Sequence, residues 1–202
     1  EIPDGGSAGL SRVITGRPYA GEGAIHVICD VYDEYRGTGG GDNLGRSVTA
    51  LGDINADGCD DYAVGAPNED EPSNQGVIRI VYGWGAFGCP NGTRIARIAT
   101  GEANGTAGWA LAANDFDGDG KNELVIGARN RRTNNVTVGG VWVVPGAELS
   151  QLQPTEPDVS ESQAPAAANG FGLDWLVTGD ETVGASFGWS VAAAGEDLAV
   201  GA

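Results

Sequence analysis

Two stretches of the chain carry acidic residues at alternating positions, and their spacing suits a hard cation. Asp53-Ile54-Asn55-Ala56-Asp57-Gly58-Cys59-Asp60-Asp61 places oxygen side chains at positions 1, 3, 5 and 9. Asp115-Phe116-Asp117-Gly118-Asp119-Gly120-Lys121-Asn122-Glu123 repeats the pattern. Calcium takes six to eight oxygens at about 2.3–2.6 Å, and alternating acids on a tight loop can supply them. A glycine follows position 5 in both, Gly58 and Gly120, where the chain must turn sharply. Position 7 would give its backbone carbonyl, from Cys59 in one loop and Lys121 in the other, so neither side chain matters to coordination. The expected ligands are Asp53, Asn55, Asp57, Cys59 and Asp61 for one calcium, and Asp115, Asp117, Asp119, Lys121 and Glu123 for a second.

The first half of each loop matches the start of an EF-hand, but the second half does not. An EF-hand needs a bidentate Glu at position 12 and a helix on either side. Position 12 is Val64 in one loop and Ile126 in the other. The acid stands at position 9, and alternating apolar runs flank both loops. The pattern is that of a strand–loop–strand site with a structural role, tying down a hairpin whose carboxylates would otherwise repel one another.

Other chemistries find little support. The single His, His26, sits in the alternating run AIHVI and reads as an ordinary strand residue. Cys29, Cys59 and Cys89 form no CxxC pair and have no His cluster beside them, which argues against zinc. No phosphate-cradling GxxxxGK[ST] occurs, nor a GxGxxG between strand and helix. No nucleophile–base pair is visible, so no catalytic residues are assigned. With 11 basic against 28 acidic residues the net charge is −17, which argues against nucleic acid or an anionic membrane surface as the main partner. No apolar run approaches the roughly 18 residues needed to span a bilayer. Glu1 is not an initiator Met, so the chain is expected to start after processing or inside a longer polypeptide.

The loops belong to a larger repeat. Leu44-Gly45-Arg46-Ser47-Val48 leads through the first loop to Tyr62-Ala63-Val64-Gly65-Ala66-Pro67. Gly108-Trp109-Ala110-Leu111-Ala112 leads through the second to Glu123-Leu124-Val125-Ile126-Gly127-Ala128. Phe187-Gly188-Trp189-Ser190-Val191-Ala192 runs to Asp197-Leu198-Ala199-Val200-Gly201-Ala202 without an acidic loop. Arg12-Val13-Ile14-Thr15-Gly16-Arg17-Pro18 is a degenerate copy of the second half. A third alternating run follows each Gly-Ala turn, at 23–28, 76–83 and 139–146, and a fourth follows at 96–102 and 174–180. Four short strands per unit, repeated, are how a β-propeller is built. Residues 148–170, rich in Pro, Ala, Ser and Glu, read as a long loop between the third and fourth strands, with a helical turn near 148–152.

These strings resemble the FG-GAP repeat of integrin α-subunit propellers and their relatives, over roughly residues 11–202. The second copy departs in lacking Phe before Gly108 and Pro after Ala128. The resemblance implies an all-β fold of FG-GAP propeller blades, each of four antiparallel strands. Residues 1–43 would be a partial blade, 44–106 and 107–186 blades with calcium loops, and 187–202 the start of another. A closed ring of about seven blades at about 60 residues each needs roughly 420 residues. The ring is therefore expected to be incomplete in this chain, and another chain or a missing segment would complete it.

In the family's blade the first-to-second and third-to-fourth strand loops share a face. That implies a Cys59–Cys89 disulfide, with Cys29 able to compete for Cys59. Sequons at Asn91, Asn104 and Asn135, together with calcium and a disulfide, favour an extracellular, N-glycosylated protein. The opposite face, where partners of such propellers usually bind, would hold Arg17, Tyr19, Arg129, Arg131 and Arg132. Those residues are candidates for an acidic protein or anionic glycan, set against the simpler view of solvated loop charges. Trp109 and Trp189 share one repeat position and read as blade-packing or channel-lining residues. The resemblance implies a secreted, non-enzymatic, calcium-stabilised module for extracellular adhesion, scaffolding or protein binding. The alternatives are a propeller domain of a larger extracellular hydrolase, because the family includes some phospholipase chains, and a glycan-binding lectin.

Overall fold

Strands that alternate two apolar faces must be covered on both sides, and here consecutive sheets cover one another. A computed structural model describes residues 10–21, 24–36, 41–69, 74–83, 94–100, 103–152, 175–178 and 186–202. Strands β1 (Leu10–Gly21) and β2 (Ala24–Arg36) form an antiparallel pair. Strands β3 (Ser47–Gly52), β4 (Asp61–Ala66), β5 (Val77–Tyr82) and β6 (Arg94–Ala99) form a four-stranded antiparallel meander in sequence order. The next meander is built from β7 (Ala110–Asn114), β8 (Glu123–Ala128), β11 (Gly140–Val144) and β12 (Trp175–Thr178). Its second-to-third connection carries a two-stranded ribbon, β9 (Arg132–Thr133) and β10 (Val136–Thr137). A final hairpin pairs β13 (Ser190–Ala194) with β14 (Asp197–Gly201).

The core lies between the sheets. From β5, Ile78, Ile80 and Tyr82 join Leu124, Ile126 and Trp142 of the following sheet in one buried cluster. Val81 points the other way, to Leu44 and Val64. From β8, Val125 faces away from that cluster, and Val191, Ala193, Leu198 and Val200 of the last hairpin pack against it. Three sheets thus stack face to face, which is the relation between neighbouring propeller blades. The architecture is an incomplete all-β propeller of four-stranded antiparallel sheets.

The repeated glycines explain how closely the sheets approach. A Cβ on Gly65 would overlap the Gly108 carbonyl and the Ser47 hydroxyl. Ser47 Oγ donates to that same Gly108 carbonyl at 2.7 Å, linking the two sheets. Gly108 itself has φ +82°, a left-handed conformation that a side chain disfavours. One sheet later Gly127 stands against the Gly188 carbonyl in the same way. The glycine closing one motif therefore meets the glycine opening the next.

Two local features differ from the sequence expectation. The helical turn α1 falls at Gly146–Leu149, slightly before the expected 148–152, and Leu149 is buried in the inter-sheet core. The ribbon β9–β10 was not foreseen, because its turn rests on Asn134 and Asn135, both at positive φ, rather than on glycine. Cys89, Asn91 and residues 153–170 lie outside the described residues, as do the side chains of Arg17, Tyr19, His26 and Cys29. Among the described residues, no helix is long and apolar enough to cross a membrane.

Candidate metal centre

Both acidic loops join the first strand of a sheet to the second, 53–61 between β3 and β4 and 115–123 between β7 and β8. Their own backbone N–H groups hold the carboxylates in place. In the first loop Asp53 accepts from Asp57 N (3.0 Å) and Gly58 N (2.8 Å). Asn55 Oδ1 accepts from Asp57 N, and Asp57 Oδ1 from Cys59 N. In the second, Asp115 accepts from Gly118 N (2.8 Å) and Gly120 N (3.0 Å). Asp117 accepts from Asp119 N, and Asp119 from Lys121 N. Successive turns of this kind leave each carboxylate lone pairs for a cation while fixing its direction.

The acid at position 9 does more than face the loop. Asp61 accepts from Ile54 N (3.1 Å) and from Gly83 N (2.8 Å), at the end of β5. Glu123 accepts from Phe116 N (2.7 Å) and from Gly146 N (3.2 Å), just past β11. Each therefore staples its loop to the end of the third strand. Asp61 is 1% exposed. Burial pushes its carboxyl up to about 6, an effect that the two N–H donors oppose and that Asp57 and Asp53 reinforce.

The two loops differ in how their acids gather. Carboxylate oxygens of Asp115, Asp117 and Glu123 lie within 4.8 Å of one another, a spacing that one cation can bridge. Asp119 stands outside that group. The corresponding residues of the first loop are Asp53, Asn55 and Asp61, in which a neutral amide replaces one acid. Oxygen-only donors of this charge fit calcium rather than zinc. The second loop is also tied to both neighbours. Asn122 Nδ2 donates to the Leu51 carbonyl of the preceding sheet at 2.9 Å, and Asn114 Nδ2 to the Gly195 carbonyl of the following hairpin. Sequence reasoning missed both asparagines, since their acceptors lie far along the chain.

At the opposite end of the strands, Arg129 does not lie among solvated loop charges. Its guanidinium carbon is 3.4 Å from the Trp109 ring centroid and 4.6 Å from that of Trp189. Arg46 approaches Trp109 at 4.3 Å, and the two tryptophans stand 5.4 Å apart, tilted by 53°. Arg46 was also missed, although it occupies the repeat position of Trp109 and Trp189, directly after the motif glycine. Arg131 donates to Thr133 Oγ1 at 3.1 Å, and Arg132 is exposed. The expected arginine patch therefore divides into a stacked group and a ribbon group.

Residues 44–81 and 107–144 each match the FG-GAP repeat family model, and they span the two calcium-type loops. The chain thus carries two FG-GAP repeats, one within each of its two complete sheets, spanning their first three strands. It is 32% identical over 123 residues to phosphatidylinositol-glycan-specific phospholipase D of Rattus norvegicus, covering 57% of this chain and 14% of that protein. The Bos taurus protein of the same name is 30% identical over 152 residues, 71% of this chain and 17% of the relative. Integrin alpha-PS2 of Drosophila melanogaster is 35% identical over 103 residues, 48% of this chain and 7% of the relative. The chain thus spans less than a fifth of the length of each.

Proposed function

We propose that this chain is a secreted, calcium-stabilised FG-GAP propeller module serving extracellular adhesion, scaffolding or protein binding, without catalytic activity of its own. The observation that carries this is the convergence of Asp115, Asp117 and Glu123 in a loop already shaped by its backbone N–H groups. Asp119 and the Lys121 carbonyl would complete that site. Asp53, Asn55, Asp57, the Cys59 carbonyl and Asp61 would form the other. Calcium would neutralise carboxylates that otherwise repel one another and would stabilise the folded chain by mass action. Similarity to an integrin subunit supports the adhesion reading, and exposed Asn104 and Asn135 are accessible to N-glycosylation. Similarity to the phospholipase supports a second reading, a non-catalytic domain within a larger hydrolase.

A Cys59–Cys89 bridge belongs to the same proposal. Cys59 stands as a disulfide half, and its Cβ lies against Gly83, six positions before Cys89 in sequence. Calorimetric titration of the chelated protein with calcium tests the proposal. Two binding events at or below millimolar calcium are expected, and absence of bound calcium would refute it.

A further inference from the structure

We infer that Arg46, Trp109, Arg129 and Trp189 form a binding site for a carboxylate carried by an acidic peptide segment of a partner protein. The inference rests on the protein-binding reading above and names the group recognised. Arg46 and Trp109 precede β3 and β7, whereas the metal loops follow those strands. At about 3.3 Å per residue the site lies nearly 20 Å from the calcium end. It is open to solvent, since Arg46 is exposed and Trp189 is 46% exposed.

The site is built for an anion in three respects. Two guanidiniums share the Trp109 ring, at 4.3 and 3.4 Å. Among the described residues neither has a carboxylate within ion-pair distance, while Arg79 and Arg97 both pair with Glu69. Among the described residues, Arg129 Nε and Trp109 Nε1 are buried without a hydrogen-bond partner, so the group's donors are not satisfied from within it. Burial and the neighbouring Arg46 charge both lower the Arg129 pKa, and an incoming anion relieves that repulsion. A guanidinium stacked on an aromatic ring keeps its N–H edge available, and a planar carboxylate matches that edge with two parallel hydrogen bonds.

Peptide is favoured over glycan for two reasons. Trp109 already carries both guanidiniums, so its ring is not free for a sugar to stack on. A net charge of −17 repels a long polyanion along its length, whereas a short segment presents only one or two carboxylates at the cations.

The test is fluorescence anisotropy on the calcium-loaded full chain with a labelled, end-blocked Gly-Ser peptide containing two adjacent glutamates. A Gln-for-Glu peptide and a hyaluronan hexasaccharide are the comparison ligands. The Glu peptide is expected to bind at least about tenfold more tightly than the Gln peptide. R46Q and R129Q should each weaken it about tenfold, while R132Q stays within about twofold. Because Arg46 is exposed, R46Q keeps the test sound even where R129Q disturbs packing. Equal binding of the two peptides, equal losses in R132Q and R46Q, or tighter binding of the hexasaccharide would overturn the inference. Melting of the same sample with and without calcium separates the two proposals. A calcium shift without peptide discrimination removes only the carboxylate site, and a missing calcium shift removes the calcium reading.

Discussion

The Arg129 guanidinium lies over the Trp109 ring, 3.4 Å from its centroid, at the position where the FG-GAP motif has proline. In the preceding repeat that position is Pro67, and the residue after the motif glycine is Arg46 rather than Trp. The departure at residue 129 is thus matched by an aromatic partner from the start of its own repeat and another, Trp189, from the next. A cation on an aromatic face contributes about 0.5–2 kcal/mol, more as it is desolvated.

Arg129→Ala should therefore lower stability by about 1 kcal/mol and shift tryptophan emission to the red as the rings gain water. Chemical denaturation followed by fluorescence measures both. Arg129→Lys should recover only part, because an ammonium does not stack as a guanidinium does. Unchanged emission in Arg129→Ala would contradict the stack.

Close approach of the sheets gives a second expectation. Gly65→Ala has no space for its Cβ against the Gly108 carbonyl, and should destabilise by about 2 kcal/mol or more. Gly195→Ala meets nothing within 4 Å and adds only the strain of φ +57°, about 1 kcal/mol. Thermal melts of the two variants should rank them in that order. The reverse order would place the seam elsewhere.

Much of this was legible in the sequence, and what was not has a physical reason. Acidic spacing and strand alternation are local patterns, so the loops 53–61 and 115–123 and the four-stranded units could be read directly. The third-strand runs at 76–83 and 139–146 contain β5 and β11. The second duty of Asp61 and Glu123 could not be read, because Gly83 and Gly146 lie more than twenty residues downstream. Gly65 and Gly108 were visible as repeated glycines, but their purpose needs the neighbouring sheet. Arg129 was assigned to a loop patch because nothing local to it reveals Trp189.

The buried Asp61 carboxyl gives a pH signature in the metal-free chain. Its folded pKa is raised from 3.8 to about 6, so between those values the folded state holds the proton more tightly than the unfolded state. Its contribution to stability is therefore greatest at low pH and falls as pH rises through that window. In EDTA, the melting temperature of the wild type relative to Asp61→Asn should fall from pH 4 to pH 7. A difference that is flat or rises with pH would contradict this. Calcium, which binds the carboxylate form, should reverse the trend.

The two loops should not be equivalent. Loop 115–123 offers four acidic side chains and a converged group of three, while loop 53–61 has the neutral Asn55 at its third position. Affinity in oxygen sites rises with ligand charge and rigidity, so the second loop should bind calcium more tightly. Asp60 works against this by adding negative potential beside the first loop, and Lys121 lowers that of the second only weakly across water. Asp117→Ala should reduce the calcium-dependent gain in melting temperature more than Asn55→Ala does. Equal or reversed losses would show that ligand charge does not set the order.

Calcium stabilisation of the folded chain is most directly tested by thermal unfolding in EDTA and again in millimolar calcium. Selective binding at 100 times the dissociation constant contributes about 2.7 kcal/mol per site. The melting temperature should fall on chelation and return when calcium, but not an equal concentration of sodium chloride, is restored. Identical melting curves in EDTA and in calcium would contradict the metal reading of both loops.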